Sequence, residues 1–405
     1  MEFEVWWLVG IPIFFGLGWV AARIDIKQLL SESRNLPKGY FKGLNFLLNE
    51  QPDKAIDAFI EIVKLDPETA ELHFALGNLF RRRGETERAI RMHQNLLLRP
   101  DLPQEQQMQA RFELGQDYLK AGLLDRAEDV FQELTETPYS MRARRALLEI
   151  FQREKEWRQA INAAEALQNM GAGNRNRQVA QFYCELAENQ LVRTHPEKAL
   201  PLLEQALTID RMCTRATILT GDACKAMGDI EKALDTWRRV EKQNIQHTIL
   251  IARRLMDGYE EVGRPEEGIN LLKSYLTEIS SIDILDVLVK AMVKLQGAEN
   301  ANALVREELR KTPTLLGLDR LLEAQLLVVP PEVRQEISNI RTLIQRYAHK
   351  LSHYKCHQCG FEARQFYWQC PGCHEWNPIH PSGWKKKIFP DWQLNLYFRF
   401  QQVRS

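Results

Sequence analysis

A ladder of small residues constrains what this chain can fold into more than any other feature. Ala55, Ala89, Ala127, Ala160, Ala199, Ala233, Gly268 and Ala301 recur at steps of 34, 38, 33, 39, 34, 35 and 33 residues. A period of this length predicts a stack of helical units, each too small to bury its own apolar face alone. The rung has to be small because two helices of one unit cross there, and a larger side chain would wedge them apart. The longer steps place insertions in turns, as at 101–104 and 171–176.

The sharpest unit carries Phe112, Leu114-Gly115, Tyr118 and Gly122 ahead of its rung, then Ala127 and Phe131. That is the tetratricopeptide pattern: Leu-Gly and an aromatic on a first helix, a glycine turn, then a small and a large residue on a second. Related units extend over residues 37–313, so an all-α superhelix is expected there. A further helical pair at 315–327 and 331–349, the second with Val333, Ile337, Ile340, Ile344 and Tyr347 at helical spacing, is read as capping helices within 314–350. Stacks of this kind hold peptides or proteins on a concave face lined by first helices, and the chain is not expected to be an enzyme. In the repeat register Phe74, Asn78 and Arg81 line that face in one unit, and Phe112, Gln116 and Leu119 do so in the next. Arg215, Ile218, Asp222 and Lys225 follow further along. These form a candidate partner groove, although the same positions also describe an ordinary solvated helix face. His73, His93, His195 and His247 have no metal-ligand spacing and are read as surface or packing residues.

Residues 5–22 carry no charge and include Trp6, Trp7, Phe14, Phe15 and Trp19. The stretch is long enough to cross a bilayer as a helix, with tryptophans near both ends, so 1–24 is read as a transmembrane anchor. Glu2 and Glu4 stand where a secretory signal would be basic. Arg23, Lys27, Arg34 and Lys38 come after the span, which directs the bulk of the chain to the cytoplasm. Lys+Arg and Asp+Glu both number 54, so no basic face for nucleic acid is expected.

Four of the seven cysteines form two pairs, Cys356-His-Gln-Cys359-Gly360 and Cys370-Pro-Gly372-Cys373. Two such pairs at this spacing can converge on one tetrahedral ion, and Gly360 and Gly372 suit the tight turns involved. A small ribbon over 351–381 is expected, with Phe361, Phe366, Trp368 and Trp376 as its apolar core. So few residues need the metal for stability. Sulfur fills every coordination position, which favours a structural ion. Zinc and iron both suit four thiolates, and iron would make a redox centre. His357 and His374 stand inside or beside the pairs and could substitute as ligands, but the four sulfurs are preferred. Cys184, Cys213 and Cys224 are read as small core residues. Leu394, Leu396, Phe398 and Phe400 alternate like a strand in the tail 382–405, whose role stays open.

Anchor, repeats and ribbon in that order resemble the lipopolysaccharide assembly protein B family. The most specific parts of the resemblance are Tyr354-x-Cys356-x-x-Cys359-Gly360-Phe361 and Trp368-x-Cys370-Pro371-x-Cys373 with Trp376 behind. It implies a single-pass bacterial inner-membrane protein, most of it cytoplasmic, with a rubredoxin-like ribbon whose ligands are Cys356, Cys359, Cys370 and Cys373. The implied function is an adaptor that promotes degradation of the lipid A-committing deacetylase by the membrane-anchored AAA+ protease FtsH. Its implied partners are that protease and lipopolysaccharide-synthesis proteins, and homo-oligomerisation is left open. An iron electron-transfer protein and a general scaffold for envelope enzymes are the competing readings.

Overall fold

The structure, a computed structural model, describes residues 42–43, 45–46, 49, 51–65, 70–348 and 354–381. The expected membrane span, the joint at 349–353 and the tail 382–405 lie outside the described residues. Two units are present, Met1–Glu154 and Lys155–Ser405. In the first are α1 (Pro52–Leu65), α2 (Ala70–Arg83), α3 (Thr86–Leu97), α4 (Gln104–Ala121), α5 (Leu124–Glu133) and α6 (Ser140–Glu154). The second begins with α7 (Trp157–Asn169), α8 (Asn176–Val192), α9 (Pro196–Ile209), α10 (Thr214–Ala226) and α11 (Ile230–Gln243). After a 3-10 turn at Ile245–His247 it continues with α12 (Thr248–Glu261), α13 (Pro265–Glu278), α14 (Ile282–Leu295), α15 (Ala298–Lys311), α16 (Leu315–Leu326) and α17 (Pro331–Ala348). It ends in a sheet of β1 (Tyr354–Cys356), β2 (Glu362–Ala363) and β3 (Ile379–Pro381).

Every rung of the small-residue ladder falls at one place, the fourth residue of its helix: α1, α3, α5, α7, α9, α11, α13 and α15. The seven alanines have no exposed surface, and Gly268 is buried. One turn later a large side chain often fills the space, and the facing first helix then supplies a glycine. A Cβ on Gly115 would stand 2.7 Å from the Phe131 ring, and one on Gly221 would overlap the Trp237 indole. The indole N–H donates to the Ile218 carbonyl oxygen at 3.1 Å, so the buried tryptophan is also satisfied.

The turn inside each pair needs a left-handed residue. Gly84, Gly122, Gly228 and Gly263 supply it with φ between 73° and 86°. Two units instead place Lys155 and Thr194 there, both at φ 60°, where a side chain strains the backbone.

Among the described residues no helix is long and apolar enough to cross a membrane. The last helix, α17, is tied to α16 by Arg341, which reaches Asp319 at 3.0 Å and Glu323 at 3.1 Å. Its apolar stripe is not wholly covered: Val333, Ile340 and Tyr347 are 41%, 50% and 67% exposed.

Candidate metal centre

The ribbon is built on β1, flanked by β2 and β3 in antiparallel register, with Tyr354 opposite Ala363 and Cys356 opposite Ile379. Each cysteine pair closes a similar turn. Gly360 N–H donates to the Cys356 carbonyl at 3.1 Å, and His374 N–H to the Cys370 carbonyl at 2.8 Å. The residue after each pair takes positive φ, 76° at Gly360 and 57° at His374. Gly372 lies in the second turn, as expected, and space also matters there. A Cβ there would lie 3.3 Å from Cys359 Sγ, and its N–H points at Cys370 Sγ at 3.4 Å.

The four Sγ atoms of Cys356, Cys359, Cys370 and Cys373 lie within 4.8 Å of one another. Cys356–Cys373 and Cys359–Cys370 are each 3.7 Å apart. A tetrahedral ion with metal–sulfur bonds of about 2.3 Å has sulfur–sulfur edges of about 3.8 Å, so the donor set fits a bound metal. His357 and His374 are exposed and outside this group. Burial opposes ionisation of Cys356, but the N–H groups of Cys359 and Gln358, together with hydrogen bonds from the Cys370 and Cys359 thiols, outweigh it and draw that thiol down to about 7. At Cys373 the Glu375 N–H favours the thiolate, yet burial and the neighbouring sulfurs push it up to about 12. One thiolate is therefore welcome and four are mutually repelling unless a cation sits among them.

The ribbon's aromatic residues divide into two sets. Tyr354, Cys356, Cys370 and Ile379 form its buried centre, with Phe361, Phe366 and Tyr367 packed around them. Trp368 and Trp376, expected in that core, face the helices instead. Trp376 meets Trp157 and Phe182 edge-on, at 6.2 and 5.9 Å between ring centres. Trp368 and Phe366 meet the buried His247 at 5.5 and 5.7 Å. The Tyr354 hydroxyl donates to Asp283 Oδ2 at 3.1 Å, and its ionisation is pushed up by burial and by that carboxylate. With a metal as its centre, the ribbon does not need all of its aromatics inside.

Arg215 lies beneath this contact. Its guanidinium is 5.8 Å from the Trp368 ring and 5.9 Å from the Trp376 ring. It is 4% exposed and pairs with Glu185 at 2.8 Å and with Glu188. Burial would lower its basicity, but the two carboxylates more than offset that and raise it.

The other groove candidates fall as follows. In the first unit, Phe74 and Phe112 turn into the helix packing, against His93 at 6.0 Å and Phe131 at 5.6 Å. Arg81 donates to Asp117 Oδ1 at 2.8 Å, to Glu113 Oε2 and to Asn78 Oδ1, both at 2.5 Å. The other oxygen of Asp117 meets His93 Nδ1 at 2.5 Å, both side chains fully buried. Gln116 is half-buried. In the second unit, Asp222 accepts two hydrogen bonds from Arg254 at 2.7 and 3.0 Å, and Lys225 pairs with Glu261 at 3.2 Å. Glu113, Asp117, Glu185 and Glu188 escaped notice in the sequence. Their signal was a carboxylate on the inner side of a first helix facing an arginine about one repeat away.

Residues 354–381 match the family described as "Rubredoxin metal binding domain", and residues 42–104 match "Tetratricopeptide repeat". A curated protein of Escherichia coli (strain K12), named "Lipopolysaccharide assembly protein B", is 34% identical over 374 residues, covering 92% of this chain and 96% of that protein. A protein of the same name from Haemophilus influenzae is 30% identical over 385 residues, with the same coverage of both chains.

Proposed function

This chain belongs to the lipopolysaccharide assembly protein B family, and on that premise we propose that it acts in lipopolysaccharide assembly as a non-enzymatic adaptor. The observation that carries this reading is the closed sulfur cluster. It leaves no coordination position for a substrate, and its ribbon is held face-on against the helices of the second unit. A metal here would act by holding Cys356, Cys359, Cys370 and Cys373 in place and so fixing a protein surface.

In the finer form of the proposal, residues 1–24 tether the chain in the inner membrane with the rest in the cytoplasm. The repeats at 37–313 then present partners to the membrane protease FtsH, and the client is the lipid A-committing deacetylase. Confinement to one membrane raises the effective concentration of such partners without any new contact. Asn78, Gln116, Asp222 and Lys225 are the polar groove positions through which a partner would be met, with Phe74, Arg81, Phe112 and Arg215 shaping the face beneath them.

The test is a strain whose only copy carries Cys359→Ser and Cys373→Ser. Deacetylase should accumulate while the purified variant keeps its helical circular dichroism. Normal deacetylase turnover in that strain would defeat the proposal. Proximity capture in intact membranes should recover both protease and deacetylase, and recovery of biosynthetic enzymes without the protease would favour a general scaffold. Elemental analysis decides the ion. A reversible iron couple would support electron transfer, the competing reading that four thiolates allow.

A further inference from the structure

Two cysteines outside the metal centre are brought together by the fold. Cys184, in the middle of α8, and Cys213, immediately before α10, are 0% and 3% exposed, with their sulfurs 3.8 Å apart. Cys213 Sγ also accepts from Gln181 Nε2 at 3.6 Å. The Cys184 thiol and the Ala216 N–H at the start of α10 both favour a thiolate on Cys213 and draw its thiol down, whereas burial pushes Cys184 up. Cys213 is thus the sulfur of the pair whose surroundings favour a thiolate.

Of the two cysteines, Cys213 is the one that lines a cavity. A cavity of about 350 Å³ opens on it, lined among others by Arg177, Gln181 and Thr214 from the helices and by Trp376 and Asn377 from the ribbon. Cys224, which is equally buried, has no such partner sulfur among the described residues.

We propose that Cys184 and Cys213 form a redox-responsive dithiol that exchanges with a small-molecule disulfide entering through this cavity. The Cys213 thiolate attacks one sulfur of the incoming disulfide. A bond forms between Cys213 Sγ and that sulfur, the incoming sulfur–sulfur bond breaks, and the departing thiolate takes up a proton. Cys184 then loses its proton and attacks Cys213 Sγ, which expels the second half of the reagent as a thiol. Two electrons and two protons pass from the pair to the reagent, which leaves as two thiols. Closure brings the sulfurs from 3.8 Å to about 2.05 Å, so the start of α10 is drawn toward α8. Arg215 lies two residues beyond Cys213 and Gln181 three before Cys184, so oxidation acts on the groups beneath the ribbon's tryptophans. This site is independent of the adaptor reading.

The experiment treats the metal-loaded full chain with hydroxyethyl disulfide, alkylates the remaining thiols and maps the peptides by mass spectrometry. The wild type should lose two thiols and gain a linked Cys184–Cys213 peptide, with Cys224 untouched. Cys184→Ala should stop at a mixed disulfide on Cys213, and Cys213→Ala should leave Cys184 unreactive, which keeps the test decisive if either variant folds poorly. Amide exchange across 354–381 should be faster in the oxidised protein than in the reduced one and recover on adding reductant. Reaction of Cys213 only in denaturant, or a mixed disulfide that Cys184 never resolves in the wild type, would overturn the dithiol. Unchanged ribbon exchange on full oxidation would overturn its link to the ribbon.

Discussion

Arg81 in the first unit and Arg215 in the second both stand on first helices of repeats, and both have two carboxylates from a neighbouring first helix. Among the described residues, the Arg81 cluster is completed by repeat side chains. Glu113 and Asp117 of α4 take the guanidinium, and Asp117 passes its second oxygen to His93 of α3. Arg215 meets Glu185 and Glu188 of α8 in the same manner, but two tryptophans of the ribbon complete its surroundings. One arrangement locks successive repeats together. The other uses the same charge pairing as a floor on which a separate small fold is set. The ribbon should therefore depend on the second unit's helices, and those helices should keep their own packing without it.

Metal removal gives the largest separation of the two. A chelator, or Cys370→Ser at a fully buried sulfur, should unfold residues 354–381 while the helices persist. Apparent binding energies of about 10–16 kcal/mol for structural zinc in small domains set the scale of the loss. Amide exchange should show full loss of protection in the ribbon and none around Arg81. If the ribbon stayed protected without metal, its aromatic seat would have to hold it alone. Acidification should act in the same direction. The Cys356 thiol is drawn below its ordinary value to about 7, so its thiolate is fully available above the ordinary value and lost as pH falls through about 7. Metal affinity of the stripped protein, measured by chelator competition, should fall over that range.

Asp117→Ala comes next. It leaves Arg81 and the fully buried His93 without their shared partner, and breaking a buried pair of this kind costs about 3–5 kcal/mol. Thermal melting should register the loss, with metal content unchanged. Arg215→Ala should cost less, roughly 1–3 kcal/mol, because Glu185 and Glu188 are 26% and 48% exposed and can turn to water. Unlike Asp117→Ala, it should also speed amide exchange in the ribbon. Equal effects of the two variants on the ribbon would erase the distinction between the clusters.

The repeat architecture was legible because it rests on volume at fixed intervals. A small residue every 33 to 39 positions has few other uses, and each rung proved to be the fourth residue of its helix. The sulfur cluster was legible for a similar reason, since four thiolates in two short pairs have few other solutions. The assignment of Trp368 and Trp376 was not. Composition told that the ribbon had aromatics to bury, but not that two of them would pack outward on Phe182 and His247. Nor could spacing tell that Arg81 and Arg215 would be closed off by carboxylates one repeat away, because such pairing depends on the stagger between neighbouring first helices.

The smallest expected effect tests the frame that both clusters share. Thr194 holds a left-handed turn at φ 60° where other repeats use glycine, as at Gly228 with φ 86°. A non-glycine residue there costs about 1–2 kcal/mol, and glycine's greater freedom in the unfolded chain returns roughly 0.5–1 kcal/mol of that. Thr194→Gly should therefore stabilise the second unit by under about 1 kcal/mol, a rise of about 2 °C in Tm for a domain of this size. Lys155→Gly should behave alike, since its φ is the same. Among the described residues, no hydrogen bond or ion pair joins either residue to the ribbon, so metal content and ribbon exchange should not move. A fall in Tm would mean that the Thr194 hydroxyl, which donates to the Arg193 carbonyl at 2.7 Å, contributes more than the strain costs. The turn would then be held by a local hydrogen bond in place of glycine, and the repeats would tolerate wider sequence variation at this position than the ladder of rungs allows.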